Sequence, residues 1–290
     1  MSKSLLAHLA IFLANLIYGI NYTVAKEVMG HYIDPFGFIL LRVSGTILLI
    51  WTTALLFKNE KVASSDFKLL FLCGLSGVGI NQMLFFWGLS LTSPINSSII
   101  MVTTPLLVMV MASILLKERF HGLKITGLFL GLGGAVVLLL LRPSSGGSGN
   151  LFGDFVTFLN ACFYAIYLVI VKPLMKKYHP ITVMKWVFLF GLIPVIPFGF
   201  QEFMAIEWHS FPAHIIWSVL FVVVGTTFLA YLLNTYGLVN LSPSVVSAYI
   251  YLQPALAAMI AVMAGKDQLD AIKIISTLFI FAGVYLINRK

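Results

Sequence analysis

Ten long apolar stretches follow one another along this 290-residue chain, and each is about as long as a membrane-spanning helix. A helix needs about 20 mostly apolar residues to cross the hydrocarbon core of a bilayer. We predict spans at 5–26, 35–57, 67–90, 94–116, 122–141, 152–172, 180–203, 212–236, 243–264 and 270–288. Because these stretches are continuous rather than alternating, they do not fit a transmembrane β-barrel. The sequence therefore predicts an all-α integral membrane protein.

The composition supports this class. Hydrophobic residues make up 60% of the chain and charged residues 10%, whereas a typical soluble domain is about 45–50% apolar and about 25% charged. The net charge of +8 comes from Lys and Arg residues that fall mostly in alternate connections. This bias predicts that both termini are cytoplasmic. We expect a multi-pass protein of the bacterial inner (plasma) membrane, with the lipid bilayer as a partner and no nucleic acid.

The two halves of the chain repeat each other. A shift of 149 positions pairs Gly88 with Gly237, Ser93 with Ser242, Pro94 with Pro243, Pro105 with Pro254, Lys117 with Lys266 and Gly134 with Gly283. A shift of 146 positions pairs Tyr18 with Tyr164 and Lys26 with Lys172. We predict a first five-helix repeat over 1–142, a linker over 143–150 and a second five-helix repeat over 151–290. Since five is odd, the second repeat enters the membrane from the opposite side, as in the inverted repeats of many secondary transporters.

Several short motifs follow one another along the chain. The first span contains Tyr18-Gly19-Ile20-Asn21-Tyr22 followed by Lys26, and the second begins at Pro35 and contains Arg42. The others are Ser93-Pro94, Pro105, Lys117-Glu118, Ser242-Pro243 and Pro254. With these motifs the sequence resembles the drug/metabolite transporter superfamily, in particular its EamA-type members. It departs from their pattern at Asp267 and in its tenth span, which lacks the Gly-rich run of the fifth. The resemblance implies a carrier of small metabolites, often an exporter, with a central cavity between the halves.

Polar and aromatic residues inside the spans are candidates for the lining of such a cavity. Buried polar groups are costly in lipid and tend to face water or each other. The residues that we expect to line the cavity are Asn15, Tyr18, Tyr22, Asn81, Gln82, Phe85, Asn96, Tyr164, Tyr167, Tyr231, Asn234, Tyr249 and Gln253. Any one of them can instead form an interhelical hydrogen bond, worth about 0.6 kcal/mol on average. As a set they favour a cavity.

Two prolines fall near the middle of the membrane. Pro105 and Pro254 each lie about 16 Å beyond the proline that begins their span, as the helical rise of 1.5 Å per residue gives. A proline inside a helix removes the hydrogen bond to the carbonyl four residues before it, here Met101 and Ile250. The pair is interpreted either as a hinge for gating or as two static kinks.

A few charged residues remain to be assigned. Lys26, Arg42 and Lys185 either extend to the membrane surface, pair structurally or contact the substrate. His8 and Asp154 are the candidates for proton coupling. No Asp or Glu lies deep in a predicted span, which disfavours a cationic substrate. A neutral or zwitterionic, amino-acid-like solute is favoured instead.

Other functions are weighed against a carrier. The sequence contains no nucleophile–base or metal motif inside a span, so we expect no enzyme activity, no cofactor and no metal. It also lacks the filter or charged rings of a channel. A phosphate-ester or nucleotide-sugar carrier stays open because of the three basic residues. We expect a secondary transporter that works by alternating access on a small-molecule substrate, and a homodimer is left open.

Overall fold

The chain folds into helices in the computed structural model, which describes residues 2–57, 60–92, 94–140, 150–263 and 271–288. In these ranges no strand occurs and the helical segments join into ten rods. The first five rods are α1 (Lys3–His31), α2 (Pro35–Ala54), α3 (Phe67–Gly74, Leu75–Gly79 and Ile80–Leu91), α4 (Pro94–Met101 and Thr104–Leu115) and α5 (Gly122–Leu140). The second five are α6 (Leu151–Ile170 and Lys172–Lys177), α7 (Pro180–Met204), α8 (Ala213–Leu220, Phe221–Leu229 and Ala230–Asn240), α9 (Pro243–Ala248, Tyr249–Tyr251 and Leu252–Met263) and α10 (Ala271–Asn288). Most of the predicted linker, 143–149, lies outside the described residues.

The outer surface of the bundle is apolar. Seven of the described helical stretches are long and apolar enough to cross a membrane, and Gly122–Val137 and Ile274–Asn288 are shorter apolar helices. Large side chains such as Leu55, Phe198 and Trp217 are exposed on this surface. An apolar surface of this extent requires lipid rather than water around it. The predicted all-α, multi-pass membrane fold is confirmed.

The packing of the rods follows the repeat. Rod α1 packs on α8 and α9, and in the same way α6 packs on α3 and α4. Equivalent rods also pack on each other, α2 with α7 and α5 with α10, and α7 packs in addition on α3. The α5–α10 contact depends on glycine, because a Cβ atom on Gly283 would lie 2.5 Å from the backbone nitrogen of Gly131. With five rods in each half, the second half is inverted relative to the first, as the sequence predicts.

Two lysines join the rods at equivalent places. Lys26 Nζ at the end of α1 donates to the carbonyls of Leu89, Ser90 and Thr92, at 2.6, 3.0 and 3.3 Å. Lys172 Nζ at the end of α6 donates to the carbonyls of Leu238, Val239 and Leu241. These carbonyls lie at the C-terminal ends of α3 and α8. The last carbonyls of a helix have no backbone N–H partner within the helix and carry partial negative charge. We call Lys26 and Lys172 the two lysine caps.

Rods α3 and α8 each contain a π-helical segment, Leu75–Gly79 and Phe221–Leu229. A shift of 149 positions places the first segment inside the second. Such segments are rare and occur frequently at functional sites. The sequence analysis did not predict them, because the hydrophobicity of both spans runs through without a break.

Rods α4 and α9 are also irregular. Rod α4 is interrupted after Met101 and begins again at Thr104, and α9 contains a 3₁₀ turn at Tyr249–Tyr251. Pro105 and Pro254 lie in the first turn of the helical segment that follows. The irregularity of each rod lies just before its proline rather than around it, and a hinge at this place stays a prediction. A proline in a first turn removes no needed donor, and the chain places the interruption before it.

Candidate functional site

A cavity lies between the two halves and encloses about 690 Å³ of empty space, its opening included. Seven rods contribute to its wall, namely α1, α2, α3, α4, α6, α8 and α9. Its lining consists of Asn15, Tyr18, Asn21, Tyr22, Arg42, Asn81, Gln82, Phe85, Phe86, Met101, Asn160, Tyr164, Thr226, Tyr231, Asn234, Val246, Ile250 and Gln253.

Most of the candidate cavity residues come together in this lining. The members of the predicted set that line it are Asn15, Tyr18, Tyr22, Asn81, Gln82, Phe85, Tyr164, Tyr231, Asn234 and Gln253. Tyr167 is buried instead, with its ring stacked beside Tyr164 at 6.2 Å. Tyr249 faces the start of α1, where its hydroxyl lies 2.9 Å from His8 Nδ1. The side chain of Asn96 lies outside the described residues.

Arg42 brings a positive charge to the wall of the cavity. Its side chain is buried, with 3% of the residue exposed. The guanidinium lies over the ring of Phe86, 4.3 Å from its centre, and Nε donates to Thr227 Oγ1 at 2.9 Å. Tyr18 and Tyr231 line the same cavity. Among the described residues no carboxylate lies within ion-pair distance of Arg42.

A hydrogen-bond chain crosses the cavity between the halves at Tyr231. Its hydroxyl donates to the carbonyl of Gly77 at 2.9 Å and accepts from Gln82 Nε2 at 3.2 Å. Gly77 belongs to the π-helical segment of α3, and its lack of a side chain makes room for the ring of Tyr167. The irregular backbone of one half therefore positions a tyrosine of the other half.

Other cavity amides also connect the two halves. Asn81 and Asn160 each donate to the backbone carbonyl of the other, at 3.3 and 2.6 Å. Gln253 Nε2 donates to Asn15 Oδ1 at 2.8 Å. Asn234 Nδ2 donates to the hydroxyl of Tyr18 at 2.9 Å. These bonds hold α1 against α8 and α9, and α3 against α6.

Some buried polar atoms of the lining have no hydrogen-bond partner in the described structure. They are Asn21 Oδ1, Gln82 Oε1, Asn160 Oδ1 and Thr226 Oγ1. A buried polar group without a partner costs about 1–3 kcal/mol. Three of the four atoms are carboxamide oxygens, which only accept hydrogen bonds. The lining therefore offers acceptors for a hydrogen-bond donor.

The other charged candidates lie outside the cavity lining. Lys26 is one of the two lysine caps. Lys185 lies over the ring of Trp51, 4.0 Å from its centre. Asp154 is in the first turn of α6, where its Oδ1 accepts from Thr92 Oγ1 at 2.6 Å. In the described parts of the chain no cluster of His, Cys, Asp and Glu is arranged to hold a metal ion.

Seven lining residues were not predicted from the sequence. They are Asn21, Phe86, Met101, Asn160, Thr226, Val246 and Ile250. Asn160 and Thr226 are polar residues within long apolar runs, and the rule that selected Asn81 would have found them. Met101 and Ile250 lie where α4 and α9 lose their α-helical hydrogen bonding, which the motif prolines Pro105 and Pro254 mark in sequence. The apolar Phe86 and Val246 carry no such signal.

Comparison with known proteins identifies the family. The EamA-like transporter family matches this sequence twice, over residues 5–140 and 151–289. The chain belongs to this family. Its membership agrees with the duplicated helical architecture and with a cavity between the copies.

Similar proteins match between about three quarters and nearly all of this EamA-like chain. An uncharacterized transporter of Archaeoglobus fulgidus is 27% identical over 289 residues, which cover 98% of this chain and 97% of the relative. A probable terminal-alkyne amino-acid exporter of Streptantibioticus cattleyicolor is 24% identical and covers 78% of this chain, with 74% of its own length matched. One solved crystal structure superimposes with a TM-score of 0.76 at 18% identity, covering 99% of this chain and 96% of its own. That similarity shows the fold alone.

Proposed function

We propose that this EamA-like transporter carries small neutral or zwitterionic metabolites of the amino-acid type across the membrane. The two halves exchange conformations, so that the cavity opens first to one side and then to the other. The observation that carries the proposal is the cavity itself, which both halves line with amides and aromatic rings and whose described lining contains no carboxylate. A cationic solute would lack a counter-charge there, whereas an uncharged or zwitterionic one finds hydrogen-bond partners. The relative named as a probable amino-acid exporter supports this substrate class.

The position of the basic residues favours this substrate class over a phosphate ester or nucleotide sugar. A substrate with two or more negative charges calls for several basic groups in its site. In the described lining Arg42 is the one basic side chain, because Lys26 and Lys185 bind elsewhere. A single guanidinium matches a single carboxylate.

The proposal also covers the orientation of the chain in the membrane. Residues 1–142 and 151–290 form the two exchanging units around the linker 143–150, and both termini face the cytoplasm of a bacterial inner membrane. The distribution of Lys and Arg supports this orientation. Accessible-cysteine labelling of single-cysteine variants at Lys3 and Lys61 tests it, since both positions are expected to react from the cytoplasmic side.

Uptake into proteoliposomes tests the function. The purified protein is reconstituted and loaded with unlabelled solute, and the entry of radiolabelled leucine, phenylalanine and threonine is compared with that of glucose and of the cationic dye ethidium. We expect amino-acid exchange that exceeds the rate in protein-free liposomes. Proton-driven transport of ethidium without any amino-acid uptake would contradict the proposal.

A pair of variants assigns the transport to the cavity. Asn234→Leu removes an amide that lines the cavity, and Asn240→Leu makes the same change at the exposed end of α8. The first variant is expected to lower amino-acid exchange by about tenfold, which corresponds to about 1.4 kcal/mol of lost interaction. The second is expected to transport at the wild-type rate. Equal rates for the two variants would exclude Asn234 from the site.

A further inference from the structure

The buried guanidinium of Arg42 has unused hydrogen-bonding capacity. Arginine carries five N–H donors, and one of them, on Nε, is bonded to Thr227. The face of the guanidinium lies against Phe86, which provides packing and a cation–π contact but no negative charge. A charge buried in a membrane protein is costly, and it is found where it pairs with another group or serves a site. Arg42 therefore fits a receptor for an anionic group that enters the cavity.

The carboxamide of Gln82 presents a free oxygen, and its orientation follows from its neighbours. Tyr231 has one hydroxyl proton, which it donates to the carbonyl of Gly77. Towards Gln82 the hydroxyl can then only accept, so the nitrogen Nε2 of Gln82 faces it. Gln82 Oε1 is left without a partner. The amide cannot turn over without losing this bond.

Asn160 presents a second free oxygen by the same reasoning. Its Nδ2 donates to the backbone carbonyl of Asn81 at 2.6 Å, and a carbonyl accepts only. The oxygen Oδ1 therefore points away from that bond and is buried without a partner. Both Gln82 and Asn160 are nearly fully buried, with 3% and 1% exposed. Two fixed acceptors in one lining suit a group that donates several hydrogen bonds.

The positive and the accepting groups belong to one lining. Arg42, Gln82 and Tyr231 all line the cavity, and Tyr231 accepts the hydrogen bond of Gln82. Asn160 bonds to Asn81, the neighbour of Gln82 in α3. This arrangement suits a small solute that carries an anionic group and a donor group only a few bonds apart.

We propose that the cavity recognises its substrate as a zwitterion, with the carboxylate on Arg42 and the ammonium group on the carboxamide oxygens of Gln82 and Asn160. The inference rests on the proposed function and narrows it to solutes with both groups, the α-amino acids. A guanidinium binds a carboxylate through two parallel hydrogen bonds. An ammonium group donates three hydrogen bonds, enough to satisfy both free oxygens. A solute that has only the carboxylate or only the ammonium group would bind at one of these two positions and leave the other without a partner.

Substrate analogues test the proposal on the unaltered protein. Exchange of radiolabelled leucine is competed by unlabelled leucine, by leucinamide, which lacks the carboxylate, and by 4-methylpentanoate, which lacks the amine. We expect each analogue to compete about 30-fold or more weakly than leucine, since it leaves a buried charged or polar group unpaired. Equal competition by leucinamide would overturn the role of Arg42. Equal competition by 4-methylpentanoate would overturn that of Gln82 and Asn160.

Variants assign each pole to its residue. In Arg42→Gln the preference for leucine over leucinamide is expected to fall from about 30-fold to about threefold or less. Lys185→Gln removes a positive charge outside the cavity and is expected to keep the full preference. Because the readout is a ratio measured on one protein, it does not depend on how much of the variant folds. An unchanged ratio in Arg42→Gln would place the carboxylate elsewhere.

The position of the ammonium group is tested with a variant that is expected to improve the binding of an analogue rather than weaken it. Gln82→Glu turns the free oxygen into a carboxylate, so leucinamide, which keeps its ammonium group, is expected to compete about fivefold better. Gln201→Glu, at an exposed position of α7, is the matched control and is expected to change nothing. No gain in Gln82→Glu would overturn the assignment of the ammonium group. If the wild-type protein exchanges leucine, phenylalanine and threonine no faster than protein-free liposomes, the proposed function itself fails, a result distinct from amino-acid transport without these preferences.

Discussion

The two halves of the molecule are alike where rods meet and different where the cavity is lined. The lysine caps have the same chemistry, since each ammonium group binds three carbonyls at the end of an equivalent rod. In the cavity, the shift of 149 positions pairs Gln82 with Tyr231 and Phe85 with Asn234. The comparison teaches that the two copies of a duplicated fold can have the same contacts between rods while the residues that line the cavity differ.

Arg42 is the clearest difference between the halves. Pro35 and Pro180 begin equivalent rods 145 positions apart, and this shift pairs Arg42 with Val187. Its partner Thr227 lies in the π-helical segment of α8, where the shift of 149 positions gives Val78 in α3. Arg42, and the Thr227 hydroxyl that accepts its hydrogen bond, are thus each replaced by valine at the equivalent position of the other half. With this asymmetry, the proposed zwitterionic solute is expected to bind in one orientation.

The largest effect is expected at the two lysine caps. Lys172→Met keeps the aliphatic length but leaves the last carbonyls of α8 without a partner in the membrane, at about 1–3 kcal/mol for each buried group. We expect a loss of about 3 kcal/mol in the free energy of unfolding for Lys172→Met. Lys26→Met is expected to cost about half as much, because Lys26 is less buried. Denaturation in mixed detergent micelles measures both.

The exposed lysine on the next turn of α6 is the control for the caps. Lys176→Met is expected to leave the unfolding curve unchanged, since the side chain of Lys176 is exposed and surface substitutions are usually neutral. If Lys172→Met behaved like Lys176→Met, the carbonyl contacts would carry no stability. Equal losses in the free energy of unfolding for Lys26→Met and Lys172→Met would show that the two lysine caps contribute equally to stability, in spite of their different burial.

An intermediate effect is expected at the matched glycines of α3 and α8. A Cβ atom on Gly88 would lie 2.4 Å from Thr157 Oγ1 and 3.1 Å from the backbone nitrogen of Thr157, whereas one on Gly237 would meet the side-chain carbons of Ile11 at 2.1 and 2.4 Å. Each alanine substitution is expected to cost about 1–3 kcal/mol of overpacking. Thermal unfolding in detergent measures the loss.

Second substitutions distinguish the two glycines. Ile11→Ala removes the atoms that crowd Gly237, so it is expected to recover stability in Gly237→Ala. Thr157→Ala removes only the hydroxyl near Gly88 and leaves the backbone contact, so the recovery there is expected to be partial. Full recovery in both pairs would show that side chains alone set the spacing of these rods.

The smallest effect is expected at the matched tyrosines of α1 and α6. The hydroxyl of Tyr18 accepts a hydrogen bond from Asn234, whereas the contact that the structure describes for Tyr164 is the stacking of its ring beside Tyr167. Tyr18→Phe is expected to lower the free energy of unfolding by about 0.6 kcal/mol, the average for such a bond between membrane helices. Tyr164→Phe is expected to leave it unchanged, and denaturation in mixed micelles compares them. A loss at Tyr164 of the same size would mean that its hydroxyl has an additional partner.

The fold was predictable from the sequence because hydropathy and repetition report directly on it. The spans follow from apolar length, and the inverted repeat follows from matched residues such as Gly88 and Gly237. The rotation of a helix about its axis is less well determined, so Tyr167 and Tyr249 were expected in the cavity and lie outside its lining. The partners of Lys26 could not be predicted, because a long side chain reaches a rod distant in sequence.

The irregular backbone was the least predictable part of the structure. A π-helical segment changes which carbonyl each amide reaches without any change in apolar character, so Leu75–Gly79 left no mark in the pattern. The consequence for the candidate site is substantial, since this segment supplies the Gly77 carbonyl that fixes Tyr231 and, through it, Gln82. The sequence suggested the side chains of the site, whereas their orientation depends on the backbone.

The inverted arrangement of the lysine caps has an electrical consequence. Because α1 and α6 run in opposite directions, the ammonium groups of Lys26 and Lys172 lie towards opposite faces of the bilayer. Moving one elementary charge through a potential of 100 mV takes about 2.3 kcal/mol. When the halves exchange conformations as proposed, one half takes up the conformation that the inverted other half leaves, so the two ammonium groups are displaced in the same direction and their work in the transmembrane field adds. The lysine caps, which hold the rods together, are therefore also expected to make the carrier sensitive to voltage.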